Sequence, residues 1–420
     1  MLHPSLTPGP GSAPDAPLSS VERANRASGG RSPLARCLTG AYRGRLAGGS
    51  DTRPAPRSPG LGRATGGIPH RQRPKRRSEM KRRLAGVAIL GVAVWLLVQV
   101  MGSALGPHVT AGPQVTATVH VGGLFFDAAI DQTGNLWVTD RDGGTLSRID
   151  PVTDSVADVV PLSVEGGADP VSIAVGEGSL WVGANARDAT GQSASGWLLR
   201  IDPGSGKQVA AIPIGVAPSV AVGAGAVWVT SLWVTSLGDD PRTVKNTLAR
   251  IDPSSNRVVA TIPVVCPCSV AADESAVWVA GPGSVMRIDP ATNRKVAEVG
   301  LGQEDNMPEV AMGAGAVWVA YYGLPLGGFR LIGRLARIDP ATNTIVADIP
   351  TGGAIGLAVG ADSVWITRGQ SLARVDARTN AVVSTVTVSN DGGVDGVAVS
   401  EHTVWVWSTT GRDTVWRIAY

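Results

Sequence analysis

Cysteine, histidine and the single-ring aromatics are scarce in this chain: 3 Cys, 5 His, 3 Phe and 4 Tyr among 420 residues. Three cysteines cannot build a disulfide scaffold. Cys37 lies before a long apolar run, and Cys266 and Cys268 stand in "CPC" after it. A disulfide within that tripeptide would need strained geometry, so the pair reads as two small half-buried residues, with a redox-active or soft-metal pair as the alternative. There is no Ser–His–Asp constellation, no G-x-S-x-G and no C-x-x-C, which excludes the common nucleophilic and thiol chemistries. A helical hydrophobic period is missing everywhere after Gly106, so the body is not α-helical. Basic charge is also missing there. Residues 84–420 hold 20 Lys/Arg against 30 Asp/Glu, and without a basic stripe nucleic acid is not the expected partner.

The basic charge sits at the other end. Residues 1–83 carry 17 Lys/Arg against 4 Asp/Glu and are rich in Pro, Gly, Ser and Ala. Such a segment buries too little apolar surface to offset its chain entropy and reads as a disordered cytoplasmic tail. It ends in "RQRPKRRSEMKRR" and runs into Leu84–Gly106, 23 residues without a charge. That length crosses a bilayer, and the preceding positive cluster places the body on the extracytoplasmic side. The stretch from Met80 also has the layout of a signal peptide, which would leave the body secreted. The length of the apolar run and its poor cleavage site favour an uncleaved anchor at 84–106. No Cys follows it, so there is no lipoprotein attachment site.

What the chain has in plenty is repetition. "ARIDPSSNRVVATIP", "MRIDPATNRKVAEVG" and "ARIDPATNTIVADIP" begin at Ala249, Met286 and Ala336. A Trp after an apolar residue recurs at Trp137, Trp181, Trp228, Trp278, Trp318, Trp365 and Trp405, at spacings of 44, 47, 50, 40, 47 and 40. A period near 45 with four short strands per unit is that of propeller blades. One unit parses as strands at Pro308–Gly313, Ala316–Ala320, Arg334–Asp339 and Thr344–Pro350, with "PATN" as the last turn. The last unit stops after its third strand, and "PQVTATVHVG" (Pro113–Gly122) matches a fourth, so the first strand completes the last blade and closes the ring. The expected fold is an all-β, seven-bladed β-propeller of four-stranded blades over 113–420, preceded by one transmembrane helix and the basic tail. The small residues of each first strand suit a narrow axis, and each Trp suits the gap between blades.

These repeats resemble the YVTN-type repeat of seven-bladed propellers. "WVTD" at Trp137–Asp140 stands where that family has its name-giving tetrapeptide. The set is also similar to the streptogramin B (virginiamycin B) lyase group. That resemblance implies the fold, and for the lyases it implies a His base with Glu and magnesium on the axial face. Here His108 falls in the stalk, His120 in an outermost strand and His402 in a turn on the opposite face, so no His occupies the catalytic position.

Function is sought where the copies differ. Links between second and third strands are long in blades 2, 3 and 5 and brief in blades 1, 4 and 6. Tyr321, Tyr322 and Phe329 fall in one long link and Trp197 and Trp233 in two others, with Phe125 and Phe126 on the same face. Aromatics gathered there point to a glycan, protein or other ligand surface, or else to packing beneath their own loops. Aligning the first strands on their Trp places Asp127, Ser172, Ser219, Ser269, Glu309, Gly356 and Gly396 in one axial ring, with Asp395 one position earlier and Asp169 in an incoming loop. Asp127, Glu309 and Asp395 are candidates to converge on calcium or magnesium, or to remain solvated rim carboxylates. Because the rest of the ring is Ser and Gly, little desolvation of these acids is expected. The expected role is partner binding through this face, with no required cofactor. The alternative is a metal-assisted lyase or hydrolase at the axial acids.

Overall fold

The computed structural model describes residues 112–420, apart from segments 188–192, 235–243, 266–268, 303–307, 324–331 and 410–412 and positions 361, 391 and 402. Residues 84–106, His108, Cys37, Cys266, Cys268, Phe329 and His402 lie outside the described residues.

The chain forms 28 strands in seven four-stranded sheets. Blade 1 is β2 (Phe125–Ile130), β3 (Leu136–Asp140), β4 (Thr145–Asp150) and β5 (Ser155–Pro161). Blade 2 is β6 (Asp169–Gly176), β7 (Ser179–Arg187), β8 (Ser193–Ile201) and β9 (Gln208–Ile214). Blade 3 is β10 (Val216–Gly223), β11 (Ala226–Val234), β12 (Val244–Asp252) and β13 (Arg257–Pro263). Blade 4 is β14 (Ser269–Ala272), β15 (Val277–Gly281), β16 (Ser284–Asp289) and β17 (Arg294–Gly300). Blade 5 is β18 (Glu309–Gly313), β19 (Ala316–Gly323), β20 (Ile332–Asp339) and β21 (Thr344–Pro350). Blade 6 is β22 (Leu357–Val359), β23 (Ser363–Arg368), β24 (Ser371–Asp376) and β25 (Ala381–Thr387). Blade 7 is β26 (Gly396–Val399), β27 (Val404–Trp407) and β28 (Thr414–Ala419), and β1 (Gln114–His120) is its fourth strand.

The seven first strands touch one another in sequence around the axis, β26 returning to β2. Thr116 Oγ1 donates to the Arg417 carbonyl and Val121 N to that of Asp413, joining the ends of the body. The seven-blade count and its closure by the first strand are as expected.

Seven apolar clusters fill the seven gaps between blades, and each holds one repeat Trp. Trp278 of blade 4, for example, packs on Val310, Val317 and Val319 of blade 5. All seven repeat tryptophans are fully buried.

The recurrent "RID" phrase works across the same gaps. In blades 1–6 its Arg lies 5.1–5.8 Å from the ring centroid of the blade's own Trp, a cation–π stack. In blades 2–5 the guanidinium then reaches the next blade's last turn. Arg287 NH1 donates to the Pro340 carbonyl (2.6 Å) and Asn343 Oδ1 (3.1 Å). Arg200, Arg250 and Arg337 repeat this geometry, and Arg417 carries it from blade 7 to Pro151 and Asp154 of blade 1. The acceptor Asn stands at positive φ, 57° at Asn343, a region this residue tolerates. The Asp of the phrase instead accepts from its own turn, as Asp339 does from Ala341 N (2.8 Å) and Thr342 Oγ1 (3.1 Å). Repetition here is architecture.

Candidate functional site

The face that bears the second-to-third and fourth-to-first links is assembled differently. The ring residues fall at one level, opposite the residue two beyond the blade's Trp: Ser219 pairs with Thr230, Glu309 with Ala320 and Gly396 with Trp407, while Asp127, at a bulge, and Gly356, before β22, are hydrogen-bonded to Thr139 and Thr367. From that level, four side chains staple their first strand to the next. Asp127 Oδ2 accepts from Ile173 N (3.0 Å), Ser219 Oγ from Val270 N (3.3 Å) and Ser269 Oγ from Val310 N (3.3 Å). Glu309 accepts from the amide of Leu357. At Gly356 a Cβ would run into the Asp395 carbonyl and at Gly396 into the Trp407 ring, so neither position has room for a side chain.

The two ring carboxylates depart from the expected ease of solvation. Each is half-buried as a residue, and protein surrounds its carboxylate. Desolvation is the largest influence on both: it pushes Asp127 up to about 6 against the amides of Ile173 and Ala128. It pushes Glu309 up to about 8, with the Asp127 charge adding to the rise. The Ser and Gly ring neighbours do not reveal this burial, because the enclosure comes from neighbouring strands, not from ring side chains. Asp395 does not join them. It is buried and accepts from Thr409 N and Oγ1, both at 2.9 Å. Among the described residues no three or more His, Cys, Asp or Glu stand together as a metal cluster.

The aromatics part company as well. Tyr321 and Tyr322 are not in a loop: β19 runs on to Gly323, pairing Tyr321 with Arg334 and Tyr322 with Gly333. Strand alternation then drives Tyr321 into the core between blades 4 and 5. Trp197 lies in β8, pairs with Ala184 and packs against the core between blades 1 and 2. Phe125 is buried between blades 7 and 1, and Phe126 is exposed. Trp233 pairs with Lys245 in β11. His120, in outermost β1, faces Asp413 at 3.3 Å.

Tyr322 and Asp395 do meet, at the rim of one cleft of about 730 Å³ between blades 5, 6 and 7. Thr351, Ile355, Arg368, Gln370 and the glycine pairs Gly352–Gly353 and Gly392–Gly393 complete its wall. Arg368 is fixed there by the Thr351 carbonyl (3.0 Å) and Thr385 Oγ1 (3.3 Å). The cleft exists because the blade 6 link is brief, and Gly369 at φ 59° makes its tight turn. Attention to long links passes over such a hollow. The legible signal is a G-G pair three residues before a ring glycine in two successive fourth-to-first links, "TGGAIG" and "DGGVDG".

No family model matches the chain, and no curated protein matches it. Solved structures do match in fold. Selenomethionine virginiamycin B lyase from Staphylococcus aureus is 14% identical over 73% of this chain and 99% of its own, with a TM-score of 0.55. A streptogramin B lyase structure is 15% identical over 73% and 97%, TM-score 0.54. Kuenenia stuttgartiensis hydrazine synthase is 15% identical over 75% and 98%, TM-score 0.57. Proteins of different name thus share this architecture, and this chain is a seven-bladed propeller similar in fold to the streptogramin B lyases.

Proposed function

We propose that this chain is a binding propeller, tethered by Leu84–Gly106 with its body extracytoplasmic, that takes a ligand or a glycan or protein partner through the link-bearing face. The observation that carries this reading is the cleft beneath Tyr322, Arg368, Gln370 and Asp395. Its volume lies within the roughly 300–1,000 Å³ of ligand sites. A few convergent polar groups, one aromatic rim and glycine backbone suit a polar ligand approached by main chain as well as side chains. Tyr322 is the aromatic at the rim of this cleft.

A second reading keeps the axial acids as catalysts, because perturbed carboxylates mark many active sites. Against it, their oxygens are engaged by the amides of Ile173, Ala128 and Leu357. Burial pushes Glu309 up to about 8, so at neutral pH it is mostly protonated and a poor general base. Magnesium or calcium at the axial acids belongs to this second reading.

The test is a glycan and peptide screen with the full-length chain. Binding should be lost in Tyr322→Ala and Gln370→Ala and kept in Asp127→Asn. Magnesium-dependent lactone opening that disappears in Asp127→Asn/Glu309→Gln would replace the binding reading with the enzyme. For the topology, protease added to intact cells should degrade the body and spare the tail; a protected body would reverse the orientation.

A further inference from the structure

The same face carries a second built feature, over blades 1 and 2. Asp169 opens β6 with its side chain only 4% exposed, and it orders two arginines. Arg141 donates to it through Nε (2.7 Å) and NH2 (3.4 Å), and Arg187 through NH2 (3.2 Å). Both arginines stay open to solvent, at 35% and 45% side-chain exposure. Arg141 also lies 5.8 Å from the ring centroid of Phe126, which is 42% exposed.

One carboxylate cannot use up two guanidinium forks, each of which has five donors. Among the described residues Arg141 NH1 and Arg187 Nε and NH1 make no hydrogen bond. The nearby acids do not fill them. Asp140 accepts through Oδ1 from the amides of Leu124, Asp142 and Gly143 (3.1–3.2 Å) and, like the exposed Asp142 and Glu165, makes no ion pair among the described residues. Two guanidinium groups on one carboxylate leave the triad itself net positive on an acidic body. Its forks are held by a buried anchor, so little side-chain entropy remains to be lost on capture.

We infer that Arg141 and Arg187, positioned by Asp169 beside Phe126, form a site for an oxyanion carried by a ligand: a carboxylate, sulfate or phosphate group. Paired forks match the oxygens of such a group, and the exposed ring receives the less polar part next to it. This site is separate from the cleft of blades 5–7 and stands or falls independently of it.

The experiment is calorimetric titration of the full-length chain with sodium phosphate, sodium sulfate and sodium galacturonate at constant ionic strength, with galactose as the neutral arm. Saturable one-site binding is expected for at least one anion and none for galactose, and the tightest anion identifies the carrier group. Arg141→Gln and Arg187→Gln should each weaken it at least about tenfold. Arg378→Gln, the same charge change on the opposite face, should leave it unchanged. Asp169→Asn separates positioning from bulk charge. Removing a negative charge would strengthen a purely Coulombic attraction, whereas loss of the anchor should weaken binding. If Asp169→Asn does not fold, the arginine pair carries the test. Absence of saturable binding, parental affinity in both arginine variants, or equal weakening in Arg378→Gln overturns the site.

Discussion

The carboxylates of the turn face and those of the axis titrate in opposite directions. At the turns, Asp202, Asp252 and Asp289 are held below the usual range first by the hydroxyls of Ser205, Ser255 and Thr292, and Asp339 and Asp376 first by the amides of Ala341 and Thr379. At the axis, burial lifts Asp127 and Glu309. A lowered acid adds stability above its unfolded pKa, and that contribution is lost as pH falls. A raised acid binds its proton more tightly when folded, so it costs stability as pH climbs from the unfolded value to the folded one. The repeated turns thus favour the ionised state, and the two unrepeated ring positions oppose it. Repetition supplies stability, and departures from it consume some.

The largest effect should come from breaking what both regions rest on. Trp318→Ala opens the gap to blade 6 and removes the ring beneath Arg337, at a cost of about 3–5 kcal/mol by denaturant unfolding. A value near zero would mean that the gaps are not the core. Next comes the axis, with the reverse sign. Glu309→Gln keeps an acceptor for Leu357 and removes a charge that burial disfavours, so at pH 8.5 the melting temperature should rise. The parent should lose stability between about pH 4.5 and 8, a loss largely absent in the variant. A parent curve flat across that window would refute the enclosed axis.

The turn face offers a comparison within itself. Arg287 has both a carbonyl and Asn343 in the next blade, whereas Arg148 has an Nε buried without a hydrogen bond among the described residues, and the next blade's turn carries Gly206 in place of the Asn. Arg287→Ala should cost about 1.5–3 kcal/mol and Arg148→Ala clearly less. Equal losses would reduce the Asn to a backbone device. The smallest effect belongs to an exposed turn acid: Asp252→Asn should shift the midpoint only above about pH 4, where the parent is ionised, and leave the acid limb unchanged.

Much of this was legible beforehand. Seven tryptophans at blade spacing carry the fold, because each fills a gap that exists only if the next blade is present. The axial ring was legible for the same reason: the offset from Trp to its opposite first-strand residue is fixed by antiparallel pairing. Tyr321 was misplaced because β19 outruns its repeat by three residues, and strand alternation beyond the repeat has no second copy to calibrate it. The enclosure of Glu309 depends on the approach of neighbouring strands. The cleft arises from a short link between two glycine-rich ones, contributed by different blades. The Asp169 cluster joins residues 28 and 18 positions apart that belong to no repeat.

The closure of blade 7 sets an order of events in the making of the protein. Thr116 and Arg417 are bonded across 301 residues. A ribosome delivers β1 first and its partner β28 last, so six blades can assemble while the first strand waits unpaired. Closing so long a loop is slow relative to forming the hairpins within each blade. Until it happens the chain offers two raw sheet edges, one at each end of an open arc. A stalled or truncated chain keeps both, and will present itself to proteases and to its own copies as an incomplete ring.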